Sequence, residues 1–245
     1  MSLSQRNIVI TGASKGLGRE SALRLCQKGA NLVLVARTKG LLDETGKRIE
    51  NLTGKAPLII CCDVSNEQDV DRMSRIIRER FRHIDVLINN AGIGIHKTSE
   101  EMSGEEMRKQ FEVNLYGPFY CIKALLPLLR LSRSAYIINV GSLVSRVSFA
   151  DNSMYAATKY GLSGFTEGLR LEMKKWNIKV GLFMPGLMNT SFQEDREGGV
   201  GAPTFLVIPP EKAALKLEKM IHGRKGTVFM YRWMLLLMKM KKWVG

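Results

Sequence analysis

Tyr155 and Lys159 stand four positions apart, and Ser142 precedes the tyrosine by thirteen. On an α-helix that spacing puts the first two side chains on nearly one face, about 6 Å apart along the axis. A phenol, an ammonium and a hydroxyl gathered at one cleft can pass a proton to or from a carbonyl oxygen. A free tyrosine, with a pKa of about 10, is too weak an acid for efficient exchange near neutrality. An ammonium alongside favours the phenolate and lowers that value. Tyr155 is therefore expected to give a proton to a carbonyl oxygen in reduction and to take it back in oxidation. Ser142 is expected to hydrogen-bond and orient the same oxygen. Alone, a Tyr-x-x-x-Lys pair is weak evidence, because surface helices are rich in lysine.

A second constellation lies near the amino end, where Thr11-Gly12-Ala13-Ser14-Lys15-Gly16-Leu17-Gly18 separates an apolar strand pattern from a helical one. In a strand-to-helix phosphate turn Gly12 permits the tight bend, and Gly16 lets a ligand backbone approach. Gly18 allows close contact of helix and sheet, and the helix amino end faces pyrophosphate charge. The spacing is looser than G-x-G-x-x-G, but its place directly after the first strand supports the reading. Ser14 and Leu17 belong to the same turn. Joined to Ser142, Tyr155 and Lys159, it points to hydride exchange between a nicotinamide cofactor and a carbonyl or alcohol.

The second strand ends Val35-Ala36-Arg37-Thr38, where an enzyme selective for the unphosphorylated cofactor usually places an acid. Arg37 and Lys15 are two cations without a carboxylate, which suits a 2'-phosphate and predicts NADP(H). Asp63 ends the third strand and is expected to accept from the adenine amino group, with Val64 beside the ring. Asn66, rather than Asp63, is the expected cap of the following helix. Asn90-Ala91-Gly92 ends the fourth strand, where small side chains let the cofactor cross the sheet edge.

The elements that must hold these residues alternate along the chain. Strand patterns at Asn7 to Thr11, Asn31 to Ala36, Pro57 to Cys62, Ile84 to Ile88, Ala135 to Val140 and Ile178 to Met184 are separated by helical patterns. The clearest helices are Leu17 to Lys28, Glu67 to Phe81 and Met154 to Lys175. Right-handed crossovers between such units bury both faces of one sheet. The prediction is a single α/β domain over residues 1–245, a Rossmann-like three-layer α/β/α sandwich on a predominantly parallel, seven-stranded sheet.

Two stretches break the rhythm. Residues 188–210 carry Gly198, Gly199, Gly201, Pro203 and Pro209-Pro210, loop material of a length expected for a substrate lid. Residues 231–245 place Trp233, Leu236, Leu237, Met240 and Val244 at helical spacing, with Lys239, Lys241 and Lys242 near the end. Such an amphipathic tail packs on its own protein or a neighbouring subunit, lies on an anionic membrane, or borders the substrate entrance.

Composition bounds the rest. The chain has 245 residues, 45% hydrophobic content and a formal charge of +14, enough to bury a large core and to concentrate anions at its surface. The cations are dispersed rather than interleaved with aromatics, which argues against a nucleic-acid partner. No secretory leader or membrane span is evident, so a cytoplasmic protein is expected, with at most peripheral membrane contact. Cys26, Cys61, Cys62 and Cys121 lack metal-ligand spacing and read as reduced core thiols, and no metal is expected.

These features resemble the short-chain dehydrogenase/reductase superfamily over about Asn7 to Thr190. The match rests on Thr11 to Gly18, Asp63, Asn89-Asn90-Ala91-Gly92, Asn114, Ser142, Tyr155, Lys159 and the Pro185-Gly186 turn. The resemblance implies a catalytic tetrad of Asn114, Ser142, Tyr155 and Lys159, with Asn114 holding a helix bend and a water that leads from Lys159 to solvent. It places Met184 to Thr190, including Pro185 and Gly186, beside the nicotinamide, with Thr190 as a hydrogen-bonding partner. It implies homodimers or homotetramers through helices at about Glu105 to Arg130 and Met154 to Lys175. The end of the chain departs from bacterial members that finish in Asp-Gly-Gly. A substrate surface from Gly94 to Thr98, Ser142, Val144, Phe149, Tyr155, Leu187, Met188 and Phe192 is mainly apolar. The expected substrate is an apolar or lipid-like ketone, aldehyde or 3-oxoacyl compound; the alternative is a catalytically weak NADP(H)-binding sensor or scaffold.

Overall fold

Runs of aliphatic residues without polar alternation are what a strand buried on both faces requires. In the computed structural model, which describes residues 3–188 and 207–230, β1 (Asn7–Thr11) and β5 (Tyr136–Val140) are buried at every position. With β2 (Asn31–Ala36), β3 (Leu58–Cys61), β4 (Val86–Asn89), β6 (Lys179–Met184) and β7 (Thr227–Phe229) they form a seven-stranded sheet of order β3-β2-β1-β4-β5-β6-β7. Every neighbouring pair is parallel.

Alternate residues of each strand face opposite layers. Ile8, Ile10, Leu32 and Leu34 meet α1 (Gly16–Cys26), α2 (Lys39–Thr53) and α7 (Pro210–Gly223) on one side. Val9, Val33 and Val35 share the other core with α3 (Glu67–Arg80), α5 (Gly117–Arg130) and α6 (Ser153–Glu172). The predicted three-layer sandwich is therefore the observed one. Strand order reverses between β1 and β4, and the crevice outside the carboxyl ends of those strands is where such sheets take ligands.

Several elements differ from the sequence expectation. The helix expected at about 105–130 is three pieces: α4 (Gly104–Phe111), a π-helical turn at Glu112–Tyr116, and α5. Pro118 has no N–H to offer the Asn114 carbonyl, which helps to break the α-helical ladder there. The unpredicted α2 buries Leu42, Thr45, Gly46 and Ile49, a stripe in which two of the four side chains carry no hydrophobic signal. Pro209-Pro210 reads as loop material, yet Pro210 opens α7, where a missing N–H costs nothing. Cys61, expected in the core, is exposed at the end of the edge strand β3.

A parallel bridge between Met188 and Ile208 joins the two ends of the segment predicted as a lid. Residues 189–206 of that segment, with Thr190 and Phe192, lie outside the described residues, as does the tail at 231–245. Among the described residues no helix is long and apolar enough to cross a membrane, and no group of side chains is arranged to hold a metal ion.

Candidate active site

The turn after β1 is built on close backbone approach. Gly12 and Gly16 have φ of +66° and +54°, the left-handed region that glycine enters without strain. A Cβ on Gly12 would lie 2.9 Å from the Ala91 Cα, and one on Gly18 would lie 2.1 Å from the Gly12 carbonyl oxygen. Thr11 Oγ1 accepts the N–H groups of Asn90 and Ala91, both at 3.0 Å. Asn90 Nδ2 in turn donates to the carbonyls of Thr11 at 3.0 Å and Gly12 at 3.2 Å. The carboxyl ends of β1 and β4 are thus stitched together at the switch point. Lys15, at the N-cap of α1, makes no side-chain capping bond, and the first turn contains no acid. That helix end fits an anion by both donors and dipole. Ser14 and Leu17 are buried beneath the turn, while Lys15 is exposed.

On the adenosine side the charge pattern is not the one predicted. Asp63 Oδ2 lies 3.6 Å from Arg37 Nη1, so a carboxylate from β3 reaches the cation at the end of β2. Residues 37 and 63 follow the ends of neighbouring strands, a proximity invisible in the linear pattern. Asp63 is pinned by Ser65, which donates its backbone N–H at 3.0 Å and its hydroxyl at 2.6 Å. Burial would raise its pKa, but the Ser65 bonds and then the Arg37 charge hold it below the ordinary carboxylate value. Thr38 is exposed before α2, and Val64 is buried in the core next to Gly117. Asn66 caps α3 as expected, accepting from the N–H groups of Gln68 and Asp69.

The chemical end gathers at the start of α6. Tyr155 is 8% exposed and Lys159 5%, and both face the segment that leaves β5. The Ser142 hydroxyl lies close enough to the Tyr155 phenol to favour its ionised form. Ser142 Oγ also accepts the Val144 N–H at 3.3 Å. Lys159 Nζ donates to the Val140 carbonyl at 3.2 Å and lies 5.8 Å from the centre of the Tyr155 ring. Burial pushes the phenol up to about 12 against the pull of Ser142. Burial also draws the lysine down to about 8. The expected lowering of the Tyr155 pKa is therefore reversed, because desolvation outweighs the influence of Ser142.

Asn114 is fully buried in the π-helical turn. Its Oδ1 accepts the Ile93 N–H at 2.9 Å, and its Nδ2 donates to the Ile93 carbonyl at 2.8 Å and to Thr158 Oγ1 at 3.1 Å. It ties the exit of β4 to α6 one residue from Lys159. Asn114, Ser142, Tyr155 and Lys159 are thus brought to one place.

The sequence profile described as short chain dehydrogenase matches residues 6–199. The chain belongs to this family. An uncharacterized oxidoreductase of Staphylococcus epidermidis is 30% identical over 197 residues, covering 80% of this chain and 84% of the relative. A mouse protein named dehydrogenase/reductase SDR family member 7B is 34% identical over 187 residues, covering 75% of this chain and 58% of the relative. A short-chain dehydrogenase from Sphingobium yanoikuyae, solved with NADPH, aligns with a TM-score of 0.85 at 26% identity over 98% of this chain and 94% of its own. A Burkholderia phymatum short-chain dehydrogenase/reductase solved with NAD shares the fold at a TM-score of 0.89 and 22% identity, covering 98% of this chain and 93% of its own. The protein is accordingly an oxidoreductase of the short-chain dehydrogenase family, in which some solved relatives hold a nicotinamide cofactor.

Within this short-chain dehydrogenase the expected substrate residues divide. Val144 and Leu187 are half-buried near the site and Phe149 is exposed, whereas Met188 packs on the core beside the bridge to Ile208. Pro185 is buried and Gly186 half-buried at the end of β6. Two residues near Tyr155 form a pair that the linear pattern does not show, one of them, His96, within the Gly94 to Thr98 stretch expected at the substrate surface. His96 places its ring 5.5 Å from the Tyr155 ring, edge to face, and its Nδ1 is 2.7 Å from Asn152 Oδ1. They are 56 positions apart, so only the tertiary fold makes them a pair.

Proposed function

We infer that the protein is an NADPH-dependent reductase of ketones, aldehydes or 3-oxoacyl groups on apolar or lipid-like molecules, working reversibly. The observation that carries this reading is the meeting of Ser142, Tyr155 and a buried Lys159 at the carboxyl end of β5, beside the phosphate turn. The glycines of that turn leave room where a Cβ would collide with backbone, and the α1 amino end suits a pyrophosphate. Gly12, Ser14, Gly16, Leu17 and Gly18 would hold the phosphates. Asp63 and Val64 would hold the adenine, Asn90 to Gly92 the nicotinamide ribose, and Pro185, Gly186 and Thr190 the carboxamide. A nicotinamide bound there would supply the hydride for the carbonyl carbon.

Tyr155 gives its hydroxyl proton to the oxygen as the carbonyl becomes an alkoxide, and Ser142 donates to the same oxygen. Buried ammonium charge at Lys159 favours the phenolate left behind. In the opposite direction the phenolate takes the alcohol proton. Arg37 offers five N–H donors in a planar fork, of which the pair with Asp63 occupies one side, so the remainder can face a 2'-phosphate. Lys15 adds a second cation from the turn.

Exposed Tyr116 and Phe119 on the π-turn and α5, with Tyr160 on α6, present an aromatic face. It surrounds a shallow depression lined by Leu115, Tyr116, Phe119, Tyr120, Gly161 and Phe165. That face favours a homodimer or homotetramer.

The test is equilibrium titration with NADPH and NADH, then turnover on a panel of aldehydes, ketones and acyl thioesters. At least a tenfold preference for NADPH is expected, as an order-of-magnitude figure for a phosphate–guanidinium contact. Equal affinities overturn the roles of Arg37 and Lys15. Tyr155→Phe should retain NADPH binding and lose most turnover, and undiminished turnover removes Tyr155 as the acid.

A further inference from the structure

Asn152 occupies the N-cap position of α6, where an asparagine ordinarily accepts a hydrogen bond from the first turn, yet its side chain makes no such bond. Its Nδ2 donates instead to the Ala150 carbonyl at 3.2 Å, which turns Oδ1 toward His96 at 2.7 Å. An amide oxygen only accepts, so His96 Nδ1 carries the hydrogen in this contact. The residue before it, Asp151, has a φ of +60°, so the loop takes an unfavourable backbone geometry while aiming a buried amide away from its own helix.

His96 is held from the other direction as well. The segment leading to it is fixed by the Asn114 bonds to Ile93 and by Gln110 Oε1, which accepts the Ile95 N–H at 3.0 Å. Gln110 is fully buried. The imidazole therefore sits between two anchored elements, with its ring packed edge to face at 5.5 Å on the ring of Tyr155.

We propose that His96 and Asn152 form a positioning pair for reduction: the Asn152 amide fixes the imidazole plane, and the imidazole holds the Tyr155 ring in the rotamer that meets Ser142. This rests on the reading of Tyr155 as the acid. The imidazole is the member of the pair that packs on the Tyr155 ring, so the effect falls on the orientation of the phenol rather than on cofactor binding. A proton donor held off its attack geometry loses rate steeply with small displacements.

The experiment compares His96→Ala, Asn152→Ala, the double variant, Asn152→Asp and Tyr155→Phe in the full chain. NADPH dissociation constants are measured by fluorescence, and kcat and KM are measured on whichever carbonyl compound of the panel is turned over fastest. Each alanine variant should lower kcat by roughly tenfold with the NADPH dissociation constant unchanged. The double variant should lose no more than either single one, because the two side chains act as one unit. Asn152→Asp keeps the acceptor for Nδ1–H and should recover most of kcat. Additive losses, or unchanged kcat in both alanine variants while Tyr155→Phe is inactive, overturn the positioning pair alone. Full turnover in Tyr155→Phe overturns the reading of the site and this inference with it.

Discussion

The ammonium of Lys159 reaches past the ring of Tyr155, 5.8 Å from its centre, and gives a hydrogen bond to the Val140 carbonyl at the end of β5. A cation is thereby stored beside the phenol within the protein, and the cost of storing it is measurable. Burial draws its pKa from the ordinary 10.5 down to about 8.

The sign of that cost follows from linkage. A lysine whose folded pKa lies below its unfolded value destabilises the fold fully while both states are protonated, and the penalty is relieved as pH rises from about 8 toward 10.5. At pH 7 it is on the order of 3 kcal/mol. Lys159→Met should therefore raise the melting temperature at pH 7 by several degrees, at about 2–4 °C per kcal/mol for a chain of this size, while reducing turnover by at least about tenfold. Calorimetry at pH 7 and pH 10 checks it, and the stability gain should shrink at the higher pH. A variant that is both destabilised and fully active would remove Lys159 from the site's electrostatics.

The glycines of the phosphate turn give a sharper contrast. A methyl group on Gly18 would meet the Gly12 carbonyl oxygen at 2.1 Å and Asn90 Nδ2 at 2.7 Å, whereas one on Gly40 meets nothing within 4 Å. Gly18→Ala must part α1 from the end of β4 and is expected to weaken NADPH binding at least tenfold, with a loss of about 1–3 kcal/mol in stability. Gly40→Ala lies in the exposed first turn of α2 and should be neutral or stabilising by up to about 1 kcal/mol. Urea denaturation and NADPH titration on the two variants distinguish a steric demand at position 18 from a general intolerance of substitution.

This contrast also shows how far the linear sequence carries. Gly12 and Gly18 are legible because a tight turn between a strand and a helix admits few other residues. The strands are legible because β1, β2, β4, β5 and β6 are largely aliphatic runs buried on both faces. Helix α2 is not, since Thr45 and Gly46 occupy half of its buried stripe. Asp63 beside Arg37, and Asn152 beside His96, are products of strand order and of a loop with positive φ at Asp151, so nothing in local spacing announces them. The pKa of Tyr155 fails to follow the pattern for a related reason. Helical spacing shows that an ammonium is near, while the depth of burial that raises the phenol is a property of the whole packed site.

Asn114 joins three elements through bonds that no other amide in the described residues makes with Ile93. Asn114→Ala leaves the Ile93 N–H and carbonyl and the Thr158 hydroxyl short of a partner, at a cost of about 2–4 kcal/mol. Because Ile93 leads into the segment carrying His96 and Thr158 adjoins Lys159, turnover should fall together with stability. Asn114→Asp retains the acceptor for the Ile93 N–H but turns a buried carboxylate oxygen toward the Ile93 carbonyl, so an equal or larger loss in the urea midpoint is expected. A fully stable, fully active alanine variant would dissociate the π-turn from the site.

At the opposite end of β4, Asp85 allows stability to be changed without touching the chemistry. It is 1% exposed, and its carboxylate accepts from the Asn7 N–H at 3.0 Å, Ser132 Oγ at 2.7 Å and Arg6 Nη1 at 2.8 Å. Burial alone would raise its pKa, but the bonds from Asn7, Ser132 and Arg6, with the charge of the last, hold it below the ordinary carboxylate value. A depressed carboxylate contributes stability that is complete above its unfolded pKa, about 4, and is lost as pH falls through the folded value. Wild-type urea midpoints should therefore fall steeply below about pH 4, and Asp85→Asn should start lower at pH 7 and fall less on acidification. NADPH affinity at pH 7 should be unchanged, since the crevice proposed for the cofactor lies at the far, carboxyl end of the same strand. An Asp85→Asn protein whose acid limb parallels the wild type would show that other carboxylates govern acid unfolding.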